Sequence, residues 1–158
     1  MNRALKIVIL SLFVISVAAW ADDNPLIGAW KINLAKTKYN VGTPPKNQVI
    51  TYQMIGDALK LTAQIDNAQG HVTNSYTAKY DGKDYPFTST APDAVAGQTV
   101  RLKRIDTHIV ERVAYLKGKK LTTEKWEISK DGKTRTVTQS GVSPQGQPVD
   151  NVLVYEKQ

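Results

Sequence analysis

The chain has 158 residues, a formal net charge of +7 and no cysteine. Without thiols there is neither a disulfide framework nor a thiolate metal site, so stability must come from packing and from a closed sheet. The basic residues are scattered rather than striped, which argues against a nucleic-acid partner and fits a mixed, soluble surface.

Residues 1–21 read as a cleavable secretory signal. Arg3 and Lys6 open it, Ile7 to Val17 is almost purely apolar, and Ala19-Trp20-Ala21 supplies the small residues that a signal peptidase inspects. The apolar run is short for a span of ~30 Å of hydrocarbon. No cysteine follows it for lipid attachment. The expectation is a periplasmic or secreted monomer, residues 22–158, forming one domain with no transmembrane segment after cleavage. Two of the 21 basic residues and none of the 14 acidic ones lie in the leader, so the mature chain would carry +5. Such a surface could meet an anionic envelope surface.

Beyond the leader no helical period of useful length appears. Gly28-Ala29-Trp30 opens a first strand. Leu59, Leu61, Ala63 and Ile65, then Val72, Asn74, Tyr76, Ala78 and Tyr80, alternate with a period of two. Turn chemistry recurs at Gly56-Asp57, Asn67 to Gly70, Asp81-Gly82, Asp106-Thr107, Lys117-Gly118-Lys119, Lys130-Asp131-Gly132 and Ser143 to Gly146. The pattern predicts an all-β fold. A meander this long removes its edges by closing, so the architecture is a single up-and-down antiparallel barrel of eight to ten strands with no substantial helix.

The turns also predict register. A two-residue loop at Gly56-Asp57 sets Met54 against Leu59, Tyr52 against Leu61 and Ile50 against Ala63, while Gln53 meets Lys60 and Thr51 meets Thr62 on the other face. A similar loop at Asp81-Gly82 sets Ala78 against Tyr85, Tyr76 against Phe87 and Lys79 against Asp84. Three stretches resist this scheme. Ala35 to Asn47, with Gly42 and Pro44-Pro45, is an irregular crossing of one barrel end. Ser89 to Gly97 is polar and holds Pro92, with room for one helical turn. Pro86 cannot donate to a ladder and predicts a weak seam beside its strand. A loop beside a seam is where a small barrel could admit a ligand.

Gly28-Ala29-Trp30 resembles the G-x-W opening of the calycins, the lipocalin and fatty-acid-binding-protein group. The resemblance implies that Gly28 and Trp30 form a plug at the closed barrel end. Gly28-Ala29-Trp30-Lys31 with Asn33, the Ala35-Lys36-Thr37-Lys38-Tyr39 segment and Tyr80 to Pro86 are also similar to small exported bacterial lipocalin-like proteins of unassigned function. Two features depart from the fatty-acid binders. Ala35 to Asn47 is too short and too rich in Pro and Gly for their helical lid. The last strand, Asn151 to Tyr155, has the tyrosine of their R-x-Y clamp but no arginine two residues before it.

Tyr52, Tyr76, Phe87 and Tyr155 are the aromatic residues expected to face inward, as core or as a ligand-binding wall. A two-residue loop at Asp106-Thr107 would set Arg104 against Ile109, Leu102 against Glu111 and Val100 against Val113. A three-residue loop at Lys117 to Lys119 would set Glu111 against Lys125 and Arg112 against Glu124. Arg104, Glu111 and Lys125 then share a face with Tyr115. That face is either a polar hook inside the barrel or an ion-pair ladder outside it, and Trp126, on the opposite face and wanting burial, favours the ladder. His71 and His108 are too far apart in sequence to suggest a metal site, and Gly141 to Gly146 has the wrong spacing for a nucleophile elbow.

No cofactor is implied. The reading is a non-enzymatic binding protein that holds a small hydrophobic or amphipathic molecule inside the barrel. Its rivals are an interaction module with a filled barrel and a small barrel enzyme. The enzyme would need Glu111 or Glu124 buried beside an open pocket.

Overall fold

A computed structural model describes residues 24–40, 43–68 and 70–158, so the expected leader lies outside the described residues. The described chain forms β1 (Gly28–Ile32), β2 (Lys38–Tyr39), β3 (Asn47–Ile55), β4 (Ala58–Asn67), β5 (Gly70–Ala78), β6 (Tyr85–Pro86), β7 (Thr88–Ser89), β8 (Gln98–Arg104), β9 (Ile109–Leu116), β10 (Lys119–Ile128), β11 (Thr134–Val142) and β12 (Pro148–Lys157). All pair antiparallel in one sheet, ordered β6-β8-β9-β10-β11-β12-β1-β3-β4-β5-β7, with β2 added to β12. Twelve strands replace the expected eight to ten. The excess is three two-residue pieces, of which β6 and β7 are one strand broken at Phe87.

That break closes the barrel. Tyr85 and Pro86 pair with Val100 and Thr99 on β8, whereas Ser89 and Thr88 pair with Asn74 and Ser75 on β5. The expected facing of Ala78 with Tyr85 and of Tyr76 with Phe87 is therefore not made, although the same offset survives at Asn74 and Ser89. Two local causes pull the segment across. Asp84 is held by Arg101 of β8 through Nε and Nη2, both at 2.9 Å, so Lys79 turns to Asp57 instead, at 2.8 Å. Phe87 N–H donates to Gln98 O at 3.0 Å, and three residues later Thr90 N–H returns to Thr73 O at 3.0 Å.

The β3–β4 hairpin has every pairing expected from Gly56-Asp57, Met54 to Leu59 through Ile50 to Ala63. The β8–β9 hairpin does not. Leu102 faces Arg112 and Val100 faces Ala114, one residue away from the expected register. Asp106 is the reason: its Oδ1 accepts the His108 N–H at 2.7 Å, which widens the turn beyond two residues. Such a slip exchanges the faces of the strand, sending Arg112 inward and Glu111 outward.

The β9–β10 turn is tight, with Lys117 at φ 49° and Gly118 at φ 80°. The ladder first pairs Lys120 with Tyr115, then shifts by one and pairs Thr123 with Val113, Glu124 with Arg112 and Lys125 with Glu111. The bulge at Leu121-Thr122 is accommodated by Gly141 of β11. A Cβ there would lie 2.2 Å from Leu121 O and 2.9 Å from Thr122 Cα, at a φ of +130°.

Residues Leu26 and Trp30 close one end of the barrel, both fully buried, and the Trp30 indole N–H donates to Leu26 O at 2.8 Å. Chain entry, the turns at Gly56, Asp106 and Asp131, and the C-terminus gather there. Gly141→Ala should cost about 2–4 kcal/mol, because backbone rather than a flexible side chain must move. An unfolding free energy from urea titration within about 0.5 kcal/mol of the parent would show that Gly141 does not seat the bulge.

Candidate functional site

The barrel encloses a cavity of about 440 Å³ that opens at the end opposite Trp30. Its lining runs from the rings of Tyr52, Trp126 and Tyr155 to polar groups at the mouth, including Asn67, Gln98 and Ser143. Of the residues singled out in the sequence, Tyr52, Tyr76, Phe87 and Tyr155 line it. Trp30 lies at the closed end, on the strand that pairs Gly28 with Tyr52.

The other four candidates do not line it. Arg104 is half-buried at the closed rim, its guanidinium 5.8 Å from the Tyr80 ring centre. Glu111 and Tyr115 lie on the outer face, Tyr115 beneath Arg101 at 4.2 Å. Lys125 is exposed and pairs with Glu127 at 2.8 Å. The facing of Glu111 with Lys125 is as expected, but the β8–β9 offset puts that pair outside. His71 is bonded to Asp66 at 2.8 Å and His108 lies at the opposite end of the barrel. No group of three metal-ligating side chains occurs among the described residues.

The chemistry inside comes from residues on the complementary face. Arg112 Nη1 donates to Glu124 Oε1 at 2.6 Å, and both side chains are only 12% exposed. Glu124 Oε1 also accepts from Gln139 Nε2 at 2.9 Å, and its Oε2 accepts the Trp126 indole N–H at 2.8 Å. Gln139 in turn accepts from Asn151 Nδ2 at 3.3 Å. Burial opposes the charge of Arg112, yet the facing Glu124 carboxylate holds its pKa above the usual value.

Arg135 is the second interior guanidinium, 1% exposed. Its Nη1 donates to the Tyr52 hydroxyl, and its guanidinium carbon lies 4.3 Å from the Tyr155 ring centre, 4.9 Å from Tyr52, 5.5 Å from Trp126 and 5.8 Å from Trp30. No carboxylate pairs with it among the described residues. Two cations and one anion therefore line the cavity. Arg112 Nε, Arg135 Nε, the Tyr76 hydroxyl and Asn74 Oδ1 are buried without a protein hydrogen-bond partner.

Sequence reasoning saw Arg112 opposite Glu124 but put neither in the ligand site, and it missed Arg135. A signal for Arg135 was present. In β11 the outward positions Thr134, Thr136 and Thr138 alternate with Arg135, Val137 and Gln139, so Arg135 shares a face with a core valine.

No protein-family model and no curated protein sequence matches the chain. Among solved structures it is similar to a mutant of the fluorescent protein UnaG, with 17% identity over 85% of this chain and 96% of that one and a TM-score of 0.57. It is also similar to the zebrafish ileal bile acid-binding protein complexed with cholic acid, with 16% identity over 85% and 99% of the two chains and a TM-score of 0.50. At this identity the shared property is the fold: the chain is a nearly closed antiparallel β-barrel like theirs.

Two tests follow from the interior. Burial pushes the Tyr52 hydroxyl up from 10.0 to about 12, and also raises Tyr76 and Tyr155. With native values above unfolded ones, this stability is fully present below pH 10 and is lost as pH rises toward 12. Tyrosinate absorbance should lag behind that of a denatured control over this window; ionisation alongside the control would contradict the burial. Glu124→Gln should cost about 3–5 kcal/mol by leaving Arg112 buried and unpaired, whereas removing both charges as R112M/E124Q should recover most of it. Equal loss in single and double variants would mean that the pair is not coupled.

Proposed function

We propose that the chain is an exported, monomeric, non-enzymatic binding protein whose barrel holds a small amphipathic anion. The observation that carries this is the interior charge count: Arg112 and Arg135 face the cavity with Glu124 as the one carboxylate among them. A buried positive charge without a counter-ion is costly, and a ligand that brings an anion offsets that cost. Arg112 Nε and the Tyr76 hydroxyl are donors without partners, and the Asn74 amide, whose O and N can exchange places, supplies a third. They suit an oxyanion at the wall between β5 and β9. The rings of Tyr52, Phe87, Trp126 and Tyr155 suit an apolar body.

Glu124 is a poor general base, since its oxygens already serve Arg112, Gln139 and Trp126. A structural neighbour named for bile acid binding, with cholic acid bound, supports an amphipathic acid as the ligand class. Export rests on the leader read in residues 1–21.

The test is a matched panel, one hydrocarbon body carrying a carboxylate, an alcohol or an amine, competing against an environment-sensitive fluorophore. The carboxylate should bind about tenfold more tightly than the alcohol, roughly 1.4 kcal/mol, and Arg112→Met, which cancels the charge excess and removes the unpartnered Nε donor, should erase the difference. Tightest binding by the amine would refute the charge argument. Failure of all three would favour the filled-barrel interaction module.

A further inference from the structure

Charge is distributed unequally between the two ends of the barrel. At the closed end the connections mix both signs: Asp57, Asp81, Asp106 and Asp131 stand among Lys79, Lys83, Lys130 and Lys133. The β9–β10 turn at the open end carries no acid. It reads Lys117-Gly118-Lys119-Lys120, exposed throughout. Lys117 N–H donates to Gly97 O at 3.3 Å, beside Gln98 of the cavity wall, and Lys120 directly precedes Leu121, which also lines the cavity. Lys46 follows Pro45 and Lys38 precedes Tyr39, both cavity residues, and both lysines are exposed.

None of these five lysines joins an ion pair among the described residues, whereas Lys79, Lys83 and Lys125 do. The acids at the open end are fewer and mostly engaged. Asp66 is bonded to His71 and Asn47, and Asp150 accepts from Asn40 at 3.3 Å, which leaves Asp93. A cationic rim thus surrounds the mouth.

We propose that this rim docks the open end of the barrel on an anionic bilayer surface. The potential of such a surface decays over about 8 Å at physiological ionic strength, so only charge carried on the contacting end is attracted strongly. Lysines on one rim meet that condition together, and the same number spread over the barrel would not. Each stem can lie along the apolar side of the interface with its ammonium among the headgroups. The docked orientation sets the cavity mouth against the bilayer. Docking requires no occupant in the cavity, so it stands apart from the ligand reading.

The experiment is sedimentation of the protein without its leader on vesicles of phosphatidylcholine, with and without a minority of phosphatidylglycerol, across a salt series. Binding should appear only with phosphatidylglycerol and weaken steeply with salt. Lys46, Lys119 and Lys120 changed together to Glu should lower the partition coefficient about a hundredfold. The control changes Lys60, Lys103 and Lys133 to Glu, exposed residues that alter net charge equally away from the mouth. This control should retain most of the binding, and thermal unfolding confirms that both variants fold. Equal loss in the two variants, or no partition onto anionic vesicles by the parent, overturns the proposal. Either result leaves the matched ligand panel unaffected, so the two readings fail separately.

Discussion

The structure depends on a guanidinium buried among aromatic rings. Arg135 projects from β11 among rings supplied by β1, β3, β10 and β12, and donates to the hydroxyl of one of them. Burying a cation in an apolar end is costly, and the compensation must come from the ring faces and the Tyr52 oxygen. Desolvated cation–π contacts contribute about 2 kcal/mol or more each, far less than the cost of an unpaired buried charge, so several rings converge on one charge. The arrangement ties β11 to four other strands across the closed end, leaving the opposite end to open. It also leaves the interior one positive charge in excess, so the device that closes the barrel helps to define what the barrel can hold.

The weakest part of the wall lies beside the most polar part of the cavity. Between β5 and β8 the sheet is continued only by two-residue pieces on either side of Phe87. Arg112 lies over this seam, 5.5 Å from the Tyr76 ring centre and 5.8 Å from Phe87. A fully hydrogen-bonded wall would not need a long cation across it. Beside the broken strand the Tyr76 hydroxyl and Arg112 Nε have no protein partners, and an oxyanion is the chemistry that would satisfy both.

A single bulge sets the rest of the site. If the β9–β10 ladder kept the offset of Lys120 with Tyr115, Arg112 would face Thr123 and Glu124 would move to the outer face. The extra residue at Leu121-Thr122 restores Glu124 opposite Arg112 and brings Trp126 inside. Gly141 permits this because no side chain fits between it and the bulged backbone. The interior ion pair therefore depends on a glycine on a neighbouring strand.

Much of this was legible in the residues. Alternation from Ile50 to Ala63 around Gly56-Asp57 determined a hairpin and its register, because one face is apolar and a two-residue turn allows one pairing. The inward aromatics followed from the same periodicity, the G-x-W opening from a resemblance to the calycins, and the facing of Arg112 with Glu124 was readable from their shared hairpin. The face on which that pair lies was not. In β9, Val110 and Ala114 alternate with Ile109, Val113 and Tyr115, so both faces are apolar and both carry a charge, Arg112 on one and Glu111 on the other. Local pattern cannot choose between two such faces. The choice came from Asp106 widening the turn, the bulge against Gly141 and the closure of the barrel around Arg135, all of which involve residues distant in sequence or a side chain bonding to backbone. The sequence by itself determined the longer strands, most turns and the pairings of the β3–β4 hairpin and of the central β9–β10 ladder. Only the tertiary structure decided which residues see the cavity, because inside and outside exist only once the sheet has closed.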